Sequence, residues 1–212
     1  MINQLSINNL TLFREDNCVI DNISFTACSG DLILIIGPNG SGKTTILRAV
    51  AGLIDPEEGE VTWNNELISN DIQSYYEHMT WISHLHGFKS NLSINDNLAF
   101  EAALFGYDHT EISSTINDLS LIADSHKPFK TLSAGQKKRA ALSRLLLEKK
   151  PLWLLDEPTS NLNSDLAKKL MANIMKHISP NAILIIVSHH SFDEVEFTHK
   201  YKISNKTIKM QT

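Results

Sequence analysis

Cysteine occurs only twice, at Cys18 and Cys28. Neither sits in a metal-ligand spacing, so a disulfide scaffold and a cysteine-held metal are both set aside, and two free thiols suit a reducing cytoplasm. No apolar run approaches the roughly 20 residues that a membrane-spanning helix needs. Work at a membrane would therefore pass through a partner. No charged region followed by an apolar stretch opens the chain, and no signal peptide is expected. Basic charge is also short: 19 Lys and Arg against 24 Asp and Glu leave a net charge of -5, which argues against a nucleic-acid partner. Low-complexity tracts and internal repeats are missing. Asn22-Ile23-Ser24 and Asn91-Leu92-Ser93 match the glycosylation pattern, but a cytoplasmic chain would not use them. What remains is an ordinary globular composition, 42% hydrophobic over 212 residues, suited to one domain or one domain with a subdomain.

The most informative stretch is Gly37-Pro38-Asn39-Gly40-Ser41-Gly42-Lys43-Thr44, which fits the phosphate-binding pattern G-x-x-x-x-G-K-[ST]. Glycine lets backbone N–H groups turn inward around phosphate oxygens where a Cβ would clash. Lys43 supplies a cation for the β- and γ-phosphates, and the Thr44 hydroxyl can ligate Mg²⁺. Leu32-Ile33-Leu34-Ile35-Ile36 before the loop reads as a buried parallel strand. Thr45 to Ala51 after it reads as a helix ending at Gly52. The loop thus opens a helix N-terminus, where the dipole favours an anion.

Upstream, residues 2 to 26 alternate apolar and polar, which predicts short antiparallel strands with turns near Asn8-Asn9 and Glu15-Asn17. Asp55 to Glu60 reads as a turn, and Val61-Thr62-Trp63 with Leu67-Ile68 as a hairpin around Asn64-Asn65. Met79 to Ile82 reads as a short strand. From about residue 84 the pattern turns helical. Ser93 with Asp96 resembles a capping box for a helix to Phe105; Thr110 and Ser133 open two more, the last reaching about Lys149. Strands return at Leu152–Leu155 and Ile183–Val187, with a helix from Ser164 to Ile178 between them. A strand-rich core, about 1–83 and 151–212, is expected around a helical insert at about 84–150, within one domain spanning 1–212.

Two further constellations carry chemistry. Leu152-Trp153-Leu154-Leu155-Asp156-Glu157 is an apolar strand ending in two carboxylates. Phosphoryl transfer needs a metal and a positioned water; Asp156 can hold Mg²⁺ through its water shell and Glu157 can polarise the attacking water. Leu132-Ser133-Ala134-Gly135-Gln136 offers a hydroxyl and unobstructed N–H groups at a helix start, a second anion site, followed by Lys137, Lys138 and Arg139. One nucleotide has one γ-phosphate, so two phosphate sites in one chain point to a dimer in which Ser133 of one copy closes the Lys43 site of the other.

With these residues in view, the chain resembles the ATP-binding cassette ATPases over its full length. Gly37 to Thr44, together with Thr45, looks like the Walker A motif, Leu132 to Gln136 like the signature sequence, and Leu152 to Glu157 like Walker B. Ser160-Asn161-Leu162-Asn163 looks like the D-loop, with Asn163 where aspartate is usual, and His189 like the switch histidine that contacts the γ-phosphate. The resemblance implies an α/β fold with a RecA-like P-loop core, an N-terminal antiparallel β-subdomain and an inserted helical subdomain. It implies ATP and Mg²⁺ as cofactors, catalytic roles for Lys43, Glu157 and His189, nucleotide contacts from Ser133, Gly135 and Gln136, and a head-to-tail homodimer driving integral membrane subunits.

Two positions depart from the family. The glutamine usual after the Met79–Ile82 strand, which links the metal to the membrane partner, is replaced by His84; the aromatic that covers adenine falls at Phe13 or Arg14, either of which can stack on a ring. The stretch Trp81 to Lys89, followed by Leu92-Ser93 and Asn97-Leu98, resembles the haem-exporting cassettes of cytochrome c maturation. That subfamily implies a peripheral subunit on the cytoplasmic face of a bacterial inner membrane. The other readings are a cassette of another small-substrate exporter, or a soluble cassette acting on ribosomes or DNA.

Overall fold

The computed structural model describes residues 2–83 and 87–211. By backbone packing they form two compact units: Met1–Trp81, Lys150–Glu157 and Ser179–Thr212 make the first, Ile82–Lys149 and Pro158–Ile178 the second.

The first unit begins with two long antiparallel strands, β1 (Gln4–Arg14) and β2 (Asn17–Cys28). Glu15, at φ 54°, makes the tight turn between them. The turn expected at Asn8-Asn9 is not a chain reversal. Asn9 adopts φ 50° and the register shifts by one residue between Ile7↔Phe25 and Leu10↔Ile23. The asparagine is absorbed as a β-bulge because both flanking apolar pairs keep facing the core. Next come β3 (Leu32–Ile36), α1 (Lys43–Val50), β4 (Glu58–Trp63) and β5 (Glu66–Leu67). Asn64 and Asn65, at φ 54° and 68°, form the two-residue hairpin turn that needs left-handed backbone at both positions. A short helix follows, α2 (Ile72–His78), capped by Asp71, and then β6 (Met79–Ile82).

The helical unit holds α3 (Ile94–Phe105), α4 (Glu111–Asp118) and α5 (Ala134–Glu148). Both capping boxes are formed, Ser93 with Asp96 and Ser133 with Gln136. The chain then returns through β7 (Leu152–Asp156), α6 (Ser164–His177), β8 (Ile183–Ser188), β9 (His199–Ser204) and β10 (Thr207–Gln211). By packing, α6 groups with the helical unit.

Two sheets result. β2-β1-β4-β5 is antiparallel, and β10-β9-β3-β8-β7-β6 carries parallel pairs β9/β3, β3/β8 and β8/β7. β7 and β8 are buried at every position, as expected for strands covered on both faces. The first unit's core joins Leu5, Ile7 and Leu10 of β1 to Ile46 and Leu47 of α1 and to Leu154 and Ile185 of the parallel strands. This packing fixes α1 on the sheet, and with it the loop between β3 and α1.

Candidate active site

The phosphate-binding pattern occupies the link from β3 to α1. Gly40 and Gly42 adopt φ 79° and 98°, which an L side chain resists. A Cβ on Gly42 would come within 2.8 Å of the Ile20 side chain, and one on Gly37 within 2.6 Å of Ser41 Oγ. The loop is thus a backbone cradle with its tip, Pro38 to Gly40, exposed. Lys43 is almost wholly buried, and its Nζ donates to the carbonyls of Gly37 at 2.8 Å and Pro38 at 3.1 Å. Ser41 Oγ is buried with no hydrogen-bond partner, an orphan hydroxyl inside the cradle. A phosphate oxygen would satisfy it.

The end of β7 meets this loop. Thr44 Oγ1 lies 3.0 Å from each carboxylate oxygen of Asp156 and donates to them. Glu157 Oε1 stands 3.5 Å from Lys43 Nζ. On its other side, Glu157 Oε2 lies 2.6 Å from His189 Nδ1. An ionised carboxylate has only acceptors, so this Nδ1 carries the proton and donates. Glu157 itself sits at φ 51°, a left-handed backbone that costs a non-glycine residue about 1–2 kcal/mol. Its N–H is tied to the Val187 carbonyl at 3.0 Å, and Gly37 N–H to the Ser188 carbonyl at 3.3 Å, so β8 registers both loops. Lys43, Thr44, Asp156, Glu157 and His189, scattered over the sequence, form one cluster in the first unit. Thr45 follows in the first turn of α1, half-buried.

Thr44 and Asp156 supply a hydroxyl and a carboxylate. Among the described residues no group of three His, Cys, Asp or Glu could hold a metal by itself. That donor set suits Mg²⁺, which takes one or two protein oxygens and completes its shell with water and substrate phosphates. When bound, the ion would neutralise charge on the phosphate oxygens. Phe13 and Arg14 stand exposed at the tip of the β1–β2 hairpin, Phe13 at 43%. His84 lies outside the described residues.

The second constellation is built within the helical unit. Ser133 Oγ accepts from Gln136 N at 3.3 Å, and Gln136 Oε1 accepts from Ser133 N at 2.7 Å. Gln136 Nε2 donates to Asp124 Oδ2 at 2.5 Å. Asp124 was not singled out in the sequence, where nothing but its distance upstream relates it to Gln136. The Lys127 ammonium and the Gln136 amide hold its carboxyl below the usual range. Gly135 leaves room for Leu162, which a Cβ would meet at 3.0 Å. The three basic residues after the motif are turned to protein partners: Lys137 to the Lys130 carbonyl, Lys138 to Ser160 Oγ, Arg139 to the Leu119 and Ser120 carbonyls. They brace the helix start. Asn163 caps α6 by accepting from Leu166 N at 2.9 Å; asparagine caps as well as aspartate.

A family model described as ABC transporter matches residues 20–160. The chain belongs to the ABC transporter family. This cassette is 34% identical over 192 residues to the cytochrome c biogenesis ATP-binding export protein CcmA of Yersinia pestis, covering 90% of this chain and 88% of that one. It is 36% identical over 187 residues to the protein of the same name from Vibrio cholerae, covering 87% and 90%. The fold matches a putative ABC transporter ATP-binding protein from Pyrococcus furiosus with a TM-score of 0.82 at 24% identity, over 94% of this chain and 97% of that one. It also matches an ATP-binding subunit of an ABC transporter with a TM-score of 0.85 at 19% identity, over 98% and 89%. As a CcmA-type cassette ATPase, the chain binds and hydrolyses ATP and works with membrane subunits. Among its described residues no helix is long and apolar enough to cross a membrane.

Proposed function

We propose that this cassette powers a transporter serving c-type cytochrome maturation, with haem as the group handled by its membrane partners. The observation that carries the reading is the 34% and 36% identity, over about nine-tenths of the chain, to proteins named for cytochrome c biogenesis export. On this reading the whole chain, 1–212, is one cassette domain with a core at about 1–83 and 151–212 and a helical subdomain at about 84–150. It sits peripherally on the cytoplasmic face of the inner membrane.

The site residues take these roles on this reading. Gly37 to Thr45 hold the phosphates, Lys43 neutralises β- and γ-oxygens, and Thr44 with Asp156 would hold Mg²⁺. Glu157 orients and polarises the attacking water, and His189, donating from Nδ1, fixes the Glu157 carboxylate. Ser133, Gly135 and Gln136 of one copy close the nucleotide site of a second copy, and His84 stands in for the coupling glutamine. The exposed Phe100, Leu104 and Phe105 of α3, at 44%, 62% and 61%, give the helical unit an apolar face suited to a membrane subunit.

The test deletes the gene and stains covalent haem in c-type cytochromes. Loss of haem-stained cytochromes, restored by the wild-type gene and not by Glu157→Gln, is expected. Normal staining in a strain without a second copy rules out the haem assignment and leaves the ATPase intact.

A further inference from the structure

Strand β8 is buried at every position up to Ser188, and two histidines follow at once, His189 and His190. In extended chain successive side chains point to opposite faces, so neighbouring rings do not meet by default. Here they do. The two imidazole centroids lie 3.8 Å apart, with the ring planes at 48°. Ser188 makes the bend that turns the rings together. Its fully buried hydroxyl accepts from His190 N at 3.0 Å, the short side-chain-to-backbone bond by which serine draws a chain out of a ladder. Beyond the bend the chain is anchored by Phe192, Val195 and Phe197, all buried. His190 is thus held by its backbone while its side chain is exposed. Among the described residues the His190 ring makes no hydrogen bond and no ion pair, and the ring it meets is His189.

We infer that His190 is a positioning residue for ATP hydrolysis: its ring, packed on His189, keeps the His189 Nδ1–H on the Glu157 carboxylate. This rests on the proposed roles of Glu157 and His189. The His189 side chain is 33% exposed, and among the described residues its ring makes a single hydrogen bond, from Nδ1 to Glu157 Oε2 at 2.6 Å. The torsion that turns an imidazole about its own bond is broad and roughly two-fold. A half-turn puts a ring carbon where Nδ1 stood, and a ring carbon is no donor to a carboxylate. One hydrogen bond to a half-exposed ring is weak insurance against that turn. A second ring against the first restricts it without touching the nucleotide. The effect reaches Glu157 through His189, and misplacing a reacting group by about 1 Å costs up to about 10²-fold in rate.

The test measures ATP turnover of the full chain against ATP concentration for four variants. They are His190→Ala, His190→Phe, His189→Ala and the double variant His189→Ala/His190→Ala. His190→Ala should lower kcat about tenfold, less than the ~10²–10⁴ expected for loss of the base, with KM for ATP unchanged. His190→Phe keeps a ring at the contact and should return most of that rate. The double variant should be no slower than His189→Ala, because His190 then has nothing to hold. Urea midpoints of His190→Ala and wild type should agree, since the side chain is exposed. Wild-type kcat in His190→Ala overturns the inference, and so does His190→Phe as slow as His190→Ala. A double variant slower than His189→Ala gives His190 a contact of its own with the nucleotide and overturns it too. A lowered urea midpoint for His190→Ala assigns the residue to stability instead. His189→Ala at the wild-type rate sinks the proposed role of His189 and this inference together. His189→Ala slow, with His190→Ala at the wild-type rate, sinks this inference and leaves that role standing.

Discussion

Lys43 holds its ammonium against two loop carbonyls and 3.5 Å from Glu157, so one buried cation touches both the loop backbone and the carboxylate proposed as the base. Lys43→Ala removes charge-assisted bonds worth about 1.5–3 kcal/mol, and nucleotide binding should weaken roughly tenfold to hundredfold in equilibrium titration. Glu157→Gln keeps the shape but loses the base. ATP binding should persist while turnover falls by about 10²–10⁴, and full turnover in that protein would remove Glu157 from the role. Gly42→Ala tests the cradle itself. It places a Cβ at φ 98° and within 2.8 Å of Ile20, and should cost about 1–3 kcal/mol in urea unfolding. At this scale most of the site was legible, because phosphate chemistry demands particular residues at fixed local spacing. What was not legible is pairwise and long-range. Nothing in the sequence says that Glu157 takes a left-handed backbone, that Asp124 anchors Gln136, or that Lys137, Lys138 and Arg139 turn away to carbonyls and a hydroxyl.

The helices are set by their ends. The Ser93 hydroxyl and N–H donate to Asp96, which holds this exposed carboxyl below the usual carboxylate range. The folded-state pKa is lowered, so the contribution is present above the unfolded value, ~3.9, and is lost as pH falls through the lower folded value. Asp96→Asn should therefore flatten the acid limb of stability, read as urea midpoint against pH, while leaving activity near neutrality intact. The Ser93–Asp96 capping box was legible because Ser-x-x-Asp is local; Ser133 was read as a helix start, but its box with Gln136 was not. The buried strands were legible too, because runs such as Ile183 to Val187 admit no solvent-facing residue. Helix α2 was missed: it is seven residues long and largely polar, with only Tyr75 buried. The β9–β10 hairpin went unread although His199 to Ile203 alternates. The Asn8-Asn9 pair carried turn chemistry that the sheet resolved as a bulge, since a true turn would have broken two apolar pairings.

For the whole molecule, the open question is which copy completes which site. The Lys43 cluster is assembled within the first unit and the Ser133 helix start within the second, each with its own internal supports. On the proposed reading one chain carries a phosphate loop and a helix N-terminus that takes an anion, which a head-to-tail pair would bring together twice. Lys43→Ala disables the cradle. Ser133→Arg fills the helix start and breaks its capping box. Each variant alone should be inactive, because every composite site in its dimer carries the lesion. In a mixture, the heterodimer puts both lesions at one site and leaves the other whole. ATP turnover should therefore return when two inactive proteins are combined, reaching about a quarter of the wild-type rate for random pairing with independent sites. Sedimentation of Glu157→Gln protein should show a dimer with ATP, since closure is not undone by hydrolysis. Turnover that stays at the level of the separate parents, in a mixture shown to exchange subunits, would place both halves of each site in one chain and refute the shared-site dimer.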